Sequence, residues 1–276
     1  MMNNNLHIFN VTNRADPLLE DLYCQPAGVG SNSFPEHYLN SKIGENIMHK
    51  DPYYAEYIFH YWFWKNQLSK YEKNSWIGFC QYRRYWLKED FDQNLTITRE
   101  NLKDNVLRST PLIWSDYDAV VAKRIYVDNL KFMKLIKRGY RNIISDPLII
   151  VDKKKHNLKL HFDMSHGYGK LDKAIDLLDK KERDDFREYV NTYTFFNPNH
   201  MFISKPKIIN EWFKSVFEWL LKCEEVFIFK NLTGYEKRLY GYLGERYLSY
   251  WFNKYTNTIE WPWTFVDMNK GKRTDV

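Results

Sequence analysis

The sequence predicts an α/β fold, with a mostly parallel central sheet and helical additions toward the C-terminus. Short apolar runs (LHIFNV at 6–11, WIGFC at 76–80, YDAVVA at 117–122, HMFIS at 200–204) alternate with longer helical patterns. Each of the first three runs ends in polar or charged residues, as strands of an open sheet do where they leave the core. No internal repeat or low-complexity linker divides the chain, so residues 1–276 read as one domain. At 44% hydrophobic residues it can bury a large core without covalent staples.

In chain order, Leu6–Val11 is a buried first strand delivering Thr12, Asn13 and Arg14 at its C-terminal end, where open α/β sheets bind ligands. Between Leu22 and Ile43, glycines, prolines, serines and asparagines spell a long loop, a feature more often functional than idle. Asp51-Pro52 pairs an N-cap type with a proline at the first helical position and predicts a helix over Tyr53–Gln67. That helix is apolar almost all round, which places it between two layers. Glu56 and His60 share one of its faces, and a carboxylate there needs a partner. Two readings stay open, a Glu56–His60 pair closed on itself and an active-site role.

Trp76–Cys80 is the next strand, followed by Gln81-Tyr82-Arg83-Arg84-Tyr85-Trp86 and a polar insertion over Leu87–Pro111. Tyr117–Ala122 is a strand closed by Lys123-Arg124, and Tyr126–Arg141 is a strongly basic helix with a solvated face. Helical patterns over Leu171–Tyr189, Lys207–Glu225 and Tyr240–Tyr255 frame the short strand His200–Ser204.

Composition narrows the function. Aromatic residues make up 18% of the chain, suiting a thick core or surfaces that stack on flat or sugar-like ligands. Cys24, Cys80 and Cys223 are far apart, which argues against a disulfide framework and for a reducing compartment. The N-terminal MMNNNLHIFNV has no signal-peptide pattern and no run reaches the ~18 apolar residues of a membrane span, so a soluble cytoplasmic protein is expected. A formal charge of +6 suits nucleic acid, an anionic membrane surface or a phosphorylated ligand. No nucleic-acid-binding signature occurs, and nucleic acid is not expected. Phosphate-loop, dinucleotide and nucleophile-elbow motifs are also missing.

Three clusters carry candidate chemistry. Arg83 and Arg84, permanent cations at a strand end, suit an anion held in bidentate fashion, or one pairs with Glu56 or Asp118 while the other reaches solvent. LHFDMSHGYG (160–169) crowds His161, Asp163 and His166 into one expected loop; its spacing matches no established metal pattern, and sugar contacts or loop hydrogen bonding are the competing readings. Gly244-Glu245-Arg246, at the expected start of an apolar helix, is either a favourable charge placement or a general base.

In order along the chain, IGENIMHKDPYYAEYIFHYWFWKN, WIGFCQYRRYW, YDAVVAKR, NHMFISK and YGYLGERYLSYWF resemble a bacterial family filed as domain of unknown function 4422. Its series runs G-D-N-I, N-P-Y-Y-x-E, W-x-W-K-N, H-Y-R-R-Y-F, N-M-F-I-M and A-E-R-L-L. Departures here are Glu45 for Asp, Gln81 for His and Gly244 for Ala. The family is associated with capsule, exopolysaccharide and O-antigen gene clusters. The resemblance implies a glycosyltransferase of the A-type, single Rossmann-like fold, with a nucleotide-binding part over 1–125 and an acceptor-binding, helical part over 126–276. It implies a nucleotide-sugar donor, UDP favoured and galactofuranose one candidate sugar, and a glycan or lipid-linked glycan acceptor. The alternative is a noncatalytic glycan-binding or assembly subunit on the same fold.

Under this resemblance Arg83 and Arg84 stand where A-type transferases commonly end a strand in a metal-holding Asp-x-Asp. A metal-independent enzyme is therefore expected, with Mn or Mg as the alternative. Glu245 is the expected base, with Asp163 behind it. Thr12, Asn13, Asn46, Tyr54, Tyr82 and Lys123 join the arginines as expected nucleotide or donor contacts. His161, His166, His200 and Arg246 are expected acceptor or sugar contacts. The location implied is the cytoplasm, at the inner face of the membrane with at most peripheral association.

Overall fold

The structure, a computed structural model, describes residues 5–267. The signal-peptide reading of the N-terminus rests partly on residues 1–4, which lie outside the described residues.

The strands are β1 Leu6–Thr12, β2 Gln25–Gly28, β3 Leu39–Asn40, β4 Trp76–Gln81, β5 Arg84–Trp86, β6 Ala119–Ala122, β7 Ile125–Tyr126, β8 Phe195–Phe196, β9 Phe202–Ser204, β10 Thr258–Trp261 and β11 Trp263–Phe265. Nine of them form one sheet whose main path runs β10-β6-β9-β4-β1-β2-β3, with β5 paired to β4 and β11 to β5. The pairs β1–β2, β1–β4, β2–β3 and β6–β10 are parallel, while β9 runs antiparallel between β4 and β6. The expected mostly parallel α/β sheet is what the chain forms.

Both faces of the sheet are covered, which is why its central strands read as unbroken apolar runs. Along β4, Ile77 and Phe79 face the larger core while Trp76 and Cys80 face a second cluster with Ile8, Trp114 and Trp261. Between them, a Cβ on Gly78 would come within 2.6 Å of Ile203 and Ile8, so the sheet closes at this point only over a glycine.

The helices are α1 Pro17–Asp21, α2 Tyr57–Asn66, α3 Leu102–Asn105, α4 Phe132–Ser145, α5 Leu158–His166, α6 Lys170–Ile175, α7 Lys180–Thr192, α8 Pro206–Val226 and α9 Leu239–Tyr255. As expected, α2 lies in the interior: it buries Tyr57, Ile58, Phe59, His60, Trp62 and Phe63, and α8 packs beside it.

Several elements differ from the sequence reading. Asp51-Pro52 is not a helix start; α2 begins at Tyr57, after a turn in which the Asp51–Pro52 peptide is cis and Ala55 has φ 51°. The loop over 22–43 contains β2 and β3, two parallel additions to β1 whose shortness hid them. Residues 158–166 form a helix rather than a loop, N-capped by the Asn157 side chain on the Leu160 N–H and ended by Gly167. The Leu171–Tyr189 helix is two helices, α6 and α7. The sheet takes strands from both sides of residue 125, with β9 between β4 and β6.

Candidate active site

The register brings three strand ends to one level. Val11 of β1 pairs with Gln81 of β4, and Thr12 pairs with Gly28 of β2, so the segments leaving β1, β2 and β4 emerge side by side. Between them lies a cavity of about 590 Å³, lined by Asn13, Arg14, Val29–Asn32 and Gln81–Arg84. Asp51, Glu56 and Arg238 close its other side. A ligand crevice outside the carboxyl ends of strands is the general arrangement of open α/β sheets.

Each wall has a local cause. After β1 the buried Thr12 Oγ1 accepts from the Arg14 N–H at 3.2 Å and donates to the Arg14 carbonyl at 2.6 Å, turning the chain into the cavity. The Arg14 guanidinium lies 4.3 Å from the Tyr82 ring centroid and donates to the Tyr82 hydroxyl. After β2, Gly30 has φ +85° with open space where a Cβ would stand, so the glycine serves the left-handed turn.

After β4 the chain makes a two-residue hairpin: Gln81 pairs with Arg84, leaving Tyr82 and Arg83 at the tip. Arg84 Nη1 donates to Gln81 Oε1 at 3.0 Å, and Gln81 Nε2 donates to the Asn199 carbonyl at 2.6 Å. Burial holds the Arg84 guanidinium below its ordinary value, opposed by the charges of Glu56 and Glu245. Neither Glu56 nor Asp118, the expected partners, forms a direct ion pair with Arg83 or Arg84 among the described residues. Glu56 pairs with His200 and Arg238, each at 3.4 Å, and Asp118 accepts from the Asn257 N–H. The Glu56–His60 pair does not form: His60 is fully buried, with both ring nitrogens unpartnered among the described residues and Phe79, Phe202 and Phe213 around it.

Behind Glu56 a polar network continues inward. His200 Nε2 donates to the Gly241 carbonyl at 2.7 Å, which turns Nδ1 toward Glu56 Oε2 at 3.4 Å and toward Gln81 Nε2 at 3.3 Å. Glu245 Oε1 accepts from the Asn199 N–H at 2.7 Å and Oε2 from Arg246 Nη1 at 2.8 Å. Burial pushes the Glu245 carboxyl up, but Arg246, His200 and the Asn199 N–H together hold it below the usual carboxylate range. Arg246 is 1% exposed, lies 3.6 Å over the Phe196 ring, and donates to His161 Nδ1 at 3.1 Å. His166 stacks on Tyr242 at 3.9 Å. Burial first, then Arg246, lowers His161 to about 3 and His166 to about 2, so both stay neutral.

Of the residues expected from sequence, Asn13, Tyr82, Arg83 and Arg84 line the cavity. Glu245, Arg246, His161, His166 and His200 lie outside its lining, and Arg246 and His200 are buried, so as they stand they support the wall rather than touch a ligand. Glu245 sits in the second turn of α9, not at a helix start.

Other expected positions are used elsewhere. Asp163 has no exposed side-chain surface and is held by Asn142, Lys159 and the Gly169 N–H. Tyr54 is a core residue, stacked on Tyr240 at 4.9 Å with its hydroxyl on Glu224. Asn46 ties its own loop through the Lys42 and Gly44 carbonyls and the Met48 N–H. Lys123 is exposed at the end of β6, outside the cavity lining. Thr12 shapes the turn without lining the cavity. Sequence reasoning put Arg14 at the ligand end of the first strand without making it a contact, and it missed Arg238, which nothing local marked and the packing of α9 delivers.

The cavity lining carries four arginines, Arg14, Arg83, Arg84 and Arg238, against two acids, Asp51 and Glu56. That donor set suits an anion and does not fit a divalent cation. Among the described residues no three His, Cys, Asp or Glu side chains converge as a metal-holding group.

The family model described as domain of unknown function (DUF4422) matches residues 7–257. The chain belongs to the DUF4422 family. Its fold is shared with the apo structure of the WbbM bifunctional glycosyltransferase, with a TM-score of 0.70 and 20% sequence identity. The match covers 95% of this DUF4422 chain and 45% of the WbbM chain, so this chain spans under half of that protein. Among curated proteins none is significantly similar.

Proposed function

We propose that the protein is a glycosyltransferase that moves a sugar from a nucleoside-diphosphate sugar, UDP favoured and galactofuranose a candidate, to a glycan or lipid-linked glycan of a surface polysaccharide. It would do so at the cytoplasmic side, without a metal cofactor. The observation that carries this reading is the arginine-lined cavity at the ends of β1, β2 and β4. The fold shared with a glycosyltransferase supports it.

Negative charge builds on the departing nucleoside diphosphate, and donors already in place stabilise it without reorganising. Arg83 and Arg84 are such donors, and Gln81 orients Arg84. The base role goes to Glu56, the carboxylate that lines the cavity beside the arginines. Its carboxylate takes the acceptor hydroxyl proton as that oxygen attacks the anomeric carbon, while the buried Oε2 stays 3.4 Å from His200 Nδ1 and anchors the group from behind. Glu245, with both oxygens engaged, is assigned to hold Asn199 and Arg246 in place.

The test is thermal shift with UDP, GDP, UMP and uridine, followed by donor hydrolysis in EDTA. A ligand at 100 times its dissociation constant adds about 2.7 kcal/mol, readily visible. Arg83→Ala and Arg84→Ala should each weaken UDP by about 1.5–3 kcal/mol and uridine little. Failure of every nucleoside diphosphate to bind would sink the reading; binding without turnover would favour a noncatalytic subunit.

A further inference from the structure

Helix α4 and the turns after it carry a surface the cavity does not use. Toward the protein, α4 buries Leu135, Gly139 and Asn142, and with Ile149 it packs on Leu160 and Met164 of α5 as a small core of its own. The opposite face is apolar as well. Met133 is 73% exposed and Ile144 77%, Ile136 and Tyr140 run between them at helical spacing, and Phe132 is exposed at the helix start. Leu148 and Val151 extend this exposed strip through the following turns.

The same segment concentrates the charge of the chain. Residues 131–155 hold eight Lys or Arg against two Asp, a net +6, which equals the formal charge of the whole protein. The other residues therefore balance, and the basic excess is local. Lys134, Lys137, Arg138 and Arg141 are exposed on α4 itself, interleaved with the apolar strip. No helix among the described residues is long and apolar enough to cross a membrane.

We propose that α4 and the turns through Lys155 form a docking face for an anionic phospholipid surface. The apolar side chains enter the acyl boundary while the flanking cations meet the headgroups. Two signals of this kind on one face are what stable peripheral binding takes. A second copy of the chain fits poorly, because two faces of charge +6 would meet. Nucleic acid explains the cations but leaves exposed Met, Ile, Leu and Val without use. The face lies behind α5, whose His161 contacts Arg246 of α9, the partner of Glu245. The inference stands apart from the transferase reading, since it needs no nucleotide at the cavity.

The experiment is co-sedimentation of the full chain with phosphatidylcholine vesicles, with and without phosphatidylglycerol. Binding is expected only with phosphatidylglycerol. Met133→Asp/Ile144→Asp and Lys134→Glu/Lys137→Glu should each lower it about tenfold or more, with melting temperatures near the parent because all four positions are exposed. The proposal falls if the parent ignores phosphatidylglycerol, or if either variant binds like the parent. It also falls if the parent is a dimer that the Asp variant converts to a monomer.

Discussion

Two carboxylates near Arg84 divide by what already holds them. Glu56 lines the cavity with its buried Oε2 3.4 Å from a histidine nitrogen, whereas both oxygens of Glu245 accept hydrogen bonds and Arg246 depends on it for charge balance. Glu56→Gln is therefore expected to keep UDP binding and melting temperature while slowing transfer about 10²-fold or more. Glu245→Gln removes the partner of a buried guanidinium and should cost about 3 kcal/mol of stability, with near-normal turnover by the folded fraction. Denaturant melts and turnover on the same samples check both. Lost turnover at full stability in Glu245→Gln would move the base to Glu245.

Among the elements, the approach of α9 to the start of α2 shapes the inner wall of the site. The turn before α2 carries Glu56, and α9 presents the Gly241 carbonyl to His200. Two glycines one turn apart permit that approach: a Cβ on Gly241 would stand 2.9 Å from Ala55 Cβ, and one on Gly244 2.4 Å from the Tyr57 ring. The DUF4422 series has Ala at the second position; here the ring of the fully buried Tyr57 fills that room. In an exposed helix Gly→Ala gains about 1 kcal/mol. Gly244→Ala should instead lose about 1–2 kcal/mol, because overpacking outweighs propensity, and should weaken UDP by shifting the Glu56 turn. A raised denaturation midpoint would show that Tyr57 moves aside freely.

For the molecule as a whole, buried neutral histidines set the response to acid. His60, His161 and His166 all lie below the ordinary imidazole value, chiefly through burial. Folded pKa values below the unfolded one mean that the unfolded chain binds more protons. Stability is therefore full above about pH 6.5 and falls as the pH drops toward the folded values. At pH 5 His161 and His166 each cost about 2 kcal/mol, and His60 adds to the loss in the same direction. Urea midpoints should fall steeply from pH 7 to pH 5, and His60→Phe, a ring among rings, should flatten part of that slope. An unchanged slope would mean that His60 is protonated in the folded protein.

The sequence by itself determined the central strands of the sheet and their covering. Apolar runs at β1, β4 and β6 can be buried only on both faces, and the aromatic circumference of α2 demands layers on either side. Asn13, Tyr82, Arg83 and Arg84 were legible as site residues because they immediately follow strand ends, where position in the chain implies position in space. Tertiary structure decided the rest. Register set Val11, Gln81 and Gly28 level, and packing of α9 brought Arg238 to a cavity formed mostly some two hundred residues earlier. Nothing local told Tyr54, Asn46 and Asp163, which are spent on the core, a loop and α5, from residues facing a ligand. Residue type constrains what a side chain can do, but the direction it faces depends on contacts distant in sequence.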